Sequence, residues 1–387
     1  MPEKKRTSIV FTGDIGFDRY MDKRWKDADL LGKSIRDFIC DSDHVVANVE
    51  GVMMNAVDDG KHDIFFHSMN PEAIRFLQDI KADIWNISNN HIMDVGLDGL
   101  VSTIDFATSM GSRTIGAGRN EIDASEPAYL DEAGGIGMFG VAYQPNSIPA
   151  TASSPGVFRW SDLNLIGERI KEIKAKCRWC IVVAHGGEEF TCMPSPYTRD
   201  LYIKYLELGA DAVVGHHPHV PENYELFPDG KMIFYSLGNF IFDTDYQRNH
   251  MYTDLGVILK LIFTEDRIDF EPMGIHIVRG DERIEETALP DIFTNIDPAE
   301  YELLEPYSAK AFVAEDRRNM IFVDPQKFTH MDQEGWDKYY FIDHPKNYVE
   351  NEHMDFSIIT PLAAKAEEGR WTESKLDKVK EYIGKLL

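Results

Sequence analysis

The sequence lacks long apolar runs, an excess of positive charge and a dense set of cysteines. No stretch approaches the roughly 18 consecutive apolar residues of a transmembrane helix, so we expect no membrane anchor and a cytoplasmic location. Lys and Arg number 40 against 66 Asp and Glu, and the formal net charge of −26 repels nucleic acid and anionic membrane surfaces. We therefore expect no nucleic-acid partner. A bound metal would still admit a small anionic substrate.

Several recognisable catalytic motifs are missing as well. Four cysteines in 387 residues are too few for a disulfide scaffold, and Cys177 with Cys180 forms a C-x-x-C without the second pair of a zinc ribbon. The sequence has no G-x-x-x-x-G-K-[ST] loop for nucleotide phosphates, and Ser236 lacks the G-x-S-x-G context of a nucleophilic serine. The thirteen histidines and the many carboxylates are therefore the main candidates for chemistry.

Short apolar runs alternate with helical periodicities up to about residue 220, which predicts an α/β architecture. Strands are expected at Ser8 to Thr12, His44 to Val49, Ile84 to Ser88, Arg113 to Gly116, Ile136 to Val141, Ile181 to Ala184 and Ala212 to Val214. Helices are expected at Asn70 to Ile80, Leu97 to Met110, Asp162 to Lys176 and Pro196 to Leu208. Longer strands follow from Met232, the last two separated by "TEDR" as in a hairpin.

The composition changes near residue 285. We predict one domain over residues 1–285 and an acidic, aromatic C-terminal extension over residues 286–387. The extension ends in "WTESKLDKVKEYIGKLL", where apolar residues recur at helical spacing. We expect this segment to form an amphipathic helix that docks on the body.

Polar side chains follow six of the apolar strands. They are Asp14; Asn48 and Glu50; Asn89, Asn90, His91 and Asp94; His185, Glu188 and Glu189; His216, His217 and His219; and Asn239 and Asp243. A single polar residue after a strand is most often a helix cap or a loop residue. Six such groups, however, meet at one edge of an α/β sheet if the strands run parallel.

The chemistry of this set favours a metal site. Imidazole, carboxylate and carboxamide ligands without a useful thiolate suit Mn, Zn or Fe, and we expect one or two divalent ions. The run "GHHPHV" supplies three of the imidazoles within four positions. Glycines next to Asp14, Glu50 and His185, and Gly215 two positions before His217, would let the backbone come close to the ion.

The motifs "GDIG", "ANVEG", "SNNHIMDVG", "AHGGEE", "GADAVVGHHPHV" and "YSLGNFIFD" have the order and spacing of the CapA (PGA_cap) family of poly-γ-glutamate capsule synthesis proteins, over roughly residues 8 to 280. That family resembles the calcineurin-like metallophosphoesterases. The resemblance implies a four-layer αββα sandwich, in which two stacked mixed sheets are flanked by helices.

The resemblance also implies roles for individual residues. The metal ligands would be Asp14, Glu50, Asn90, His185, His217 and His219, with Glu50 as the bridging carboxylate. His91 would protonate the leaving group, and Asp94 would hold its ring in register. Positions in contact with the substrate or behind the ligands would be Asn48, Asn89, Glu189, His216 and Asn239, with His216 as a supporting or surface group.

Three departures from the family patterns affect the site. The phosphoesterase D-x-H becomes Asp14-Ile15-Gly16, so one imidazole is lost unless Asp18 or water replaces it. The G-D-x-x-D motif becomes Asn48-x-Glu50. The family's H-W-G-x-E becomes "HGGEE", which keeps an acid at Glu189 but removes an aromatic wall.

The main functional hypothesis is a metal-dependent hydrolase that uses metal-activated water and a histidine acid. Its substrate would be small and anionic, either a phosphoester or a γ-glutamyl amide, and the chemistry does not choose between the two. The alternative is a non-catalytic accessory protein of capsule synthesis that binds an anionic polymer. The sequence makes no prediction about oligomeric state.

Overall fold

The computed structural model describes residues 6–55, 66–142, 147–190, 193–194, 196–250, 252–298 and 301. The predicted C-terminal amphipathic helix lies outside the described residues. The strands are β1 Thr7–Ile15, β2 His44–Val49, β3 Val52–Met53, β4 Ser68–Met69, β5 Ile84–Asn86, β6 Arg113–Ile115, β7 Ala117–Gly118, β8 Ala128–Leu130, β9 Ile136–Ala142, β10 Gly156–Val157, β11 Trp179–His185, β12 Ala212–His216, β13 Tyr224–Leu226, β14 Met232–Phe234, β15 Asn239–Ile241, β16 Leu255–Phe263, β17 Ile268–Val278 and β18 Arg283–Thr287. The helices are α1 Lys33–Cys40, α2 Ile74–Asp79, α3 Gly96–Ser109, α4 Glu121–Ala124, α5 Leu163–Lys176 and α6 Pro196–Leu208.

The first large sheet is mixed and has eight strands. Its order is β18-β17-β16-β1-β2-β5-β6, with β15 paired to β1 beyond the main path. Strands β1, β2, β5 and β6 are parallel, whereas β16, β17 and β18 add an antiparallel edge. The register between β1 and both of its parallel neighbours shifts next to Asp14. Such an irregularity bends a strand and re-aims its side chains.

The second large sheet has six strands in the order β13-β14-β12-β11-β9-β8. Its central strands β9, β11, β12 and β14 are parallel, and the two outer strands are antiparallel to their neighbours. His185 ends β11 directly opposite His216 on β12. The carboxyl ends of the parallel strands in this sheet therefore carry two of the six predicted polar groups side by side.

The two sheets pack face to face, and helices cover their outer faces. Alternate residues of a strand point to opposite faces. Ile9 and Phe11 of β1 pack with Ile181 and Val183 of β11 in one cluster between the sheets. Val10 lies in a cluster with residues of α1, α2 and α3, and residues of α5 and α6 pack on the far face of β11. The predicted mixed α/β fold with two sheets flanked by helices is confirmed.

The element predictions match the structure closely. All seven strands expected before residue 220 are present, and β1, β11 and β12 extend further toward the site than expected. The expected helix after Asn70 begins as a 3-10 turn over Pro71–Ala73, and the Asn70 side chain caps it by accepting from the Glu72 N–H. None of the helices in the described ranges combines the length and the apolar character needed to span a bilayer.

The described residues just past the predicted domain boundary still pack on the body. Strand β18 ends at Thr287, and Phe293 contributes to the cluster between the sheets. The Asn223 side chain donates to the carbonyl of Ile292. The division of the chain into residues 1–285 and 286–387 stays a prediction.

Candidate metal centre

Strand ends from both sheets bring the predicted ligands together. Asp14 on β1 lies in register with Asn48 on β2 and with Asn239 on β15. Glu50 follows β2 directly, and its N–H donates to the carbonyl of Ile15. His185 and the segment of His216, His217 and His219 come from the second sheet and face the same pocket. The pocket therefore lies where the carboxyl ends of strands from the two sheets meet.

Three overlapping groups of side chains could each hold a divalent ion. They are Asp14 with Glu50 and His219; Glu50 with His185 and His217; and Glu189 with His217 and His219, and within each group the ligand atoms lie within 4.8 Å of one another. Glu50, His217 and His219 each belong to two of the groups, so the three form one continuous cluster. Such shared ligands suit a centre that holds one or two ions.

The spacings fit side chains that share a cation better than side chains that bond directly. The Glu50 Oε1 atom lies 3.6 Å from His219 Nε2 and 3.8 Å from His185 Nε2. Both distances exceed an ordinary hydrogen bond. Two ligands each about 2.1 Å from one tetrahedral ion lie roughly 3.4 Å apart, which is close to what the cluster shows.

Buried oxygen atoms without hydrogen bonds support the same interpretation. Both carboxylate oxygens of Glu50 and the Oδ2 atom of Asp14 are buried and have no hydrogen-bond partner within the described part of the chain. Burying such groups unsatisfied costs free energy, and a cation would compensate that cost. Oxygen and imidazole donors in this number suit a borderline divalent ion, so the residues fit the predicted cofactor.

Four asparagines surround the cluster and orient its members. The Asn48 Nδ2 atom donates to Asp14 Oδ1 at 2.7 Å, and the Asn86 Nδ2 atom donates to Asn48 Oδ1 at 2.7 Å. Asn90 Oδ1 lies 3.0 Å from His185 Nε2, which puts the amide oxygen at the cluster. Asn239 Oδ1 accepts from His219 Nδ1 at 2.8 Å. The Nε2 atom of that ring lies toward Glu50.

Asn89 and His216 occupy supporting positions. The Asn89 side chain donates to the Val49 carbonyl at 2.8 Å and accepts from the His91 N–H at 3.0 Å, so it joins the loops after β2 and β5. His216 is buried, and its Nδ1 atom lies 3.6 Å from Asp14 Oδ1. Of the two positions predicted for His216, the structure shows a buried one behind Asp14.

The proposed acid also has its predicted neighbour. His91 Nδ1 lies 2.9 Å from Asp94 Oδ2, and the same carboxylate oxygen accepts from the His67 N–H at 2.8 Å. Asp94 therefore fixes one edge of the imidazole while it ties two loops together. The Nε2 edge of His91 is left for another partner.

The backbone around the ligands is strained. His217 has φ of +99°, His219 has +58° and Phe190 has +60°, all in the left-handed region that non-glycine residues avoid. Such conformations cost about 1–3 kcal/mol each and cluster at functional sites, where the surrounding structure enforces them. The "GHHPHV" turn is thus held in a conformation that its own residues do not prefer.

Glycines let the strand ends approach one another. A Cβ atom on Gly13 would lie 2.3 Å from the Gly238 carbonyl oxygen, and one on Gly215 would lie 1.9 Å from the Tyr235 carbonyl oxygen. Gly13 precedes Asp14, and Gly215 precedes His216. These glycines leave space for the backbone of neighbouring segments. The close approach brings the ligands within reach of each other.

Two aromatic rings lie beside His219, although the "HGGEE" motif lacks an aromatic residue. Phe242 stacks on His219 with centroids 4.8 Å apart and an interplanar angle of 25°. A Cβ atom on Gly16 would lie 2.7 Å from the Phe242 ring, so this glycine makes room for the ring. Phe190 stacks on His250 at 4.0 Å and also faces His219 at 6.2 Å.

The electrostatics place different protonation states on neighbouring groups. Burial raises the pKa of Glu50 well above its usual value and lowers the pKa of His185 and His217 well below theirs. Burial also acts against charge on Asp14 and His219, but interactions with His216 and His219 outweigh it at Asp14, and the charges of Glu50 and Asp14 outweigh it at His219. The pKa of Asp14 is lowered, and that of His219 is raised to about 10. Neutral His185 and His217 are in the form that binds metal.

His67 and Asn86 were not predicted as site residues, and Asp18 was considered only as a replacement for the lost imidazole. His67 Nδ1 lies 2.6 Å from Asp18 Oδ2, and the His67 ring packs against His91 with centroids 4.3 Å apart. His67 belongs to no strand-end motif, so no local signal indicated it, whereas Asp18 follows the end of β1. Asn86 ends β5 in register with Asn48, and its place at a strand end could have identified it.

The sequence profile described as "Bacterial capsule synthesis protein PGA_cap" matches residues 8–244. The "PGA biosynthesis protein CapA" of Bacillus subtilis (strain 168) is 30% identical over 275 residues, which are 70% of this chain and 72% of that protein. The "Capsule biosynthesis protein CapA" of Bacillus anthracis is 29% identical over 259 residues, or 64% of this chain and 62% of that protein.

More distant similarities add no detail of the site. The "Probable polyglutamine synthesis accessory protein Rv0574c" of Mycobacterium tuberculosis (strain ATCC 25618 / H37Rv) is 24% identical over 189 residues, 46% of this chain and 50% of that protein. The solved structure of TT1561 of Thermus thermophilus superposes with a TM-score of 0.36 at 9% identity. It covers 68% of this chain and 98% of that chain.

Proposed function

Because the chain belongs to the PGA_cap family of bacterial capsule synthesis proteins, and because its strand ends converge on a cluster of metal-binding side chains, we propose that it is a metal-dependent hydrolase of the phosphoesterase type. One observation carries the proposal. Asp14, Glu50, His185, His217 and His219 surround one buried pocket, in which three carboxylate oxygens have no hydrogen-bond partner from the described residues.

The proposed ligands are those of the cluster together with the Asn90 amide oxygen. The cofactor would be one or two ions of Mn, Zn or Fe. Such an ion supplies Lewis acidity, which lowers the pKa of a coordinated water and polarises the group that is attacked. Glu50 is the proposed bridging ligand because it is the only carboxylate among the three side chains that belong to two groups each.

The chain's own residues supply orientation and a proton. Asn48 and Asn239 fix Asp14 and His219 by hydrogen bonds of 2.7 Å and 2.8 Å. Asp94 holds the Nδ1 edge of His91, so the Nε2 edge is the one that can reach a substrate. We propose that His91 carries a proton on both ring nitrogens when an anionic substrate is bound, and that it gives the Nε2 proton to the departing oxygen or nitrogen atom. Without substrate, burial and the charge of His67 lower the pKa of His91.

The proposed substrate is small and carries an anionic group, either a phosphoester or a γ-glutamyl amide. The phosphoesterase-like arrangement of ligands favours the first class. The name of the Bacillus subtilis relative, a PGA biosynthesis protein, favours the second. A cytoplasmic location for the protein stays a prediction from the sequence.

A second candidate is a non-catalytic accessory protein that binds an anionic polymer. The observation in its favour is the name of a relative, a probable polyglutamine synthesis accessory protein that is 24% identical over 189 residues. In this case the same cluster would bind a cation that holds polymer carboxylates, and His91 would have no proton to transfer.

Turnover assays separate the two candidates. Purified protein is loaded with Mn²⁺ and offered an aryl phosphate and a γ-glutamyl anilide, before and after chelation. We expect chelation to abolish turnover of one substrate and His91→Gln to reduce it by about 10²-fold, the low end for a lost general acid.

The matched control is His44→Gln. His44 Nδ1 lies 2.6 Å from Asp83 Oδ2 at the start of β2, so it forms a similar pair at the opposite end of the strand from Glu50. This variant should retain full turnover. No metal-dependent turnover of either substrate, together with binding of poly-γ-glutamate, would support the accessory protein instead.

A further inference from the structure

A second histidine–carboxylate pair lies beside the proposed acid. His67 Nδ1 is 2.6 Å from Asp18 Oδ2, just as His91 Nδ1 is 2.9 Å from Asp94 Oδ2. The two imidazole rings meet edge to face, with centroids 4.3 Å apart and an interplanar angle of 83°. Asp94 also accepts from the His67 N–H at 2.8 Å. The two pairs therefore form one rigid unit.

The Phe242 ring lies between this unit and the metal centre. This ring contacts both His67 and His219. Its centroid lies 4.9 Å from that of the His67 ring and 4.8 Å from that of the His219 ring. The position of Phe242 depends on Gly16, because any side chain there would overlap the ring. His67 thus lies one aromatic ring away from a proposed metal ligand.

The burial of this pair indicates a functional role. The side chains of His67 and Asp18 are only 8% and 12% exposed, and burying them costs free energy that apolar side chains would not. The Oδ1 atom of Asp18 is buried without a hydrogen-bond partner among the residues described. The folded chain alone therefore leaves this pair incompletely satisfied.

We propose that His67, held by Asp18, is a second substrate-binding histidine, and that His67 and His91 together bind the oxygen atoms of the substrate's anionic group beside the metal centre. The inference rests on the proposed function, since it assumes that the cluster is a substrate site. Each carboxylate engages Nδ1, and no described residue hydrogen-bonds to Nε2 of either ring.

The chemistry of imidazole suits an oxyanion. A ring nitrogen donates to an anionic oxygen when it carries a proton and accepts from a hydroxyl oxygen when it does not. A carboxylate at Nδ1 fixes the ring and strengthens the interaction made at Nε2. Two rings at a right angle can reach two oxygens of a single phosphoryl or carboxylate group. His67 is not a metal ligand in this account.

Binding of inorganic phosphate and of L-glutamate to the Mn²⁺-loaded protein tests the inference, measured by isothermal titration calorimetry. The variants are His67→Gln and Asp18→Asn, with His44→Gln as the matched control. We expect His67→Gln to weaken binding of one anion by about tenfold, the effect of losing one hydrogen bond to a charged group. Mn²⁺ affinity and stoichiometry should not change. The anion affected identifies the substrate class.

Asp18→Asn should weaken binding of the same anion to a smaller extent. This variant keeps the test valid if His67→Gln fails to fold. The inference is overturned if both variants bind both anions like the wild type, if the loaded wild type binds neither anion at millimolar concentration, or if Mn²⁺ binding falls in parallel. Anion binding that depends on His67 without any turnover would contradict the hydrolase but not this inference. Turnover that does not depend on His67 would support the hydrolase and contradict this inference.

Discussion

Replacing Glu50 by Gln should change the protein's thermal stability in opposite directions with and without metal. The substitution preserves shape and removes one charge from two of the three ligand groups. Without metal, the wild type buries two Glu50 oxygens that have no hydrogen-bond partner among the described residues. We therefore expect chelated Glu50→Gln to melt at the same temperature as the chelated wild type or above it.

The metal-bound state should show the opposite order. At a metal concentration about 100 times Kd, binding stabilises the wild type by about 2.7 kcal/mol, which raises Tm by roughly 4–5 °C for a domain of this size. Loss of a ligand that weakens binding about 100-fold leaves only about 0.4 kcal/mol at the same concentration, which is a shift below about 1 °C.

Differential scanning calorimetry of both proteins, with Mn²⁺ and with a chelator, measures these four values. His44→Gln is the matched control and should keep the full metal-dependent shift. Equal shifts in Glu50→Gln and the wild type would refute the assignment of Glu50 as a ligand. A chelated Glu50→Gln protein that melts well below the chelated wild type would show that Glu50 stabilises the fold directly.

Three further predictions concern the fold. Gly215→Ala should destabilise the protein by about 1–3 kcal/mol or more in urea unfolding, because the new Cβ would lie 1.9 Å from the Tyr235 carbonyl oxygen; an unchanged midpoint would show that the strands can separate. Leu259→Ala opens a cavity between the two sheets and should cost about 2–5 kcal/mol in the same assay, and a cost below about 1 kcal/mol would contradict the packing of that layer. The hydrogen bond to Asp83 raises the pKa of His44. The stability that this pair adds to the fold should therefore be complete below the unfolded pKa of about 6.5 and disappear as pH rises through the folded pKa. The stability difference between wild type and His44→Gln, followed from about pH 5 to about pH 9, should therefore shrink with rising pH, and a difference that grows would reverse the assignment.

The framework of the site could be predicted because strand ends leave a strong local signal. Buried parallel strands are continuous apolar runs, and the residue that follows such a run is easy to locate. Asp14, Glu50 and His185 were placed in this way, and the sheet register brings Asp14 beside Asn48 as the strand order requires. The capping residue Asn70 was equally easy to identify, since it precedes a proline at the start of a helical pattern.

The rest depended on contacts between distant segments. Asp18 and His67 are 49 positions apart, so nothing local indicates that they pair. Phe242 looks like an ordinary core residue of an apolar segment, and only the packing shows that it stacks on His219. The "HGGEE" motif predicted the loss of an aromatic wall, whereas Phe190, directly after the motif, and Phe242, from another segment, place rings beside His219.

The metal content of the purified protein tests the central claim most directly. Inductively coupled plasma mass spectrometry, after exposure to Mn, Zn and Fe and removal of unbound ions, should find one or two divalent ions per chain. His217→Ala, which removes a member of two ligand groups, should lose most of this metal, while His44→Gln should keep it. Wild-type protein that holds no divalent metal, or His217→Ala protein that holds as much as the wild type, would contradict the account.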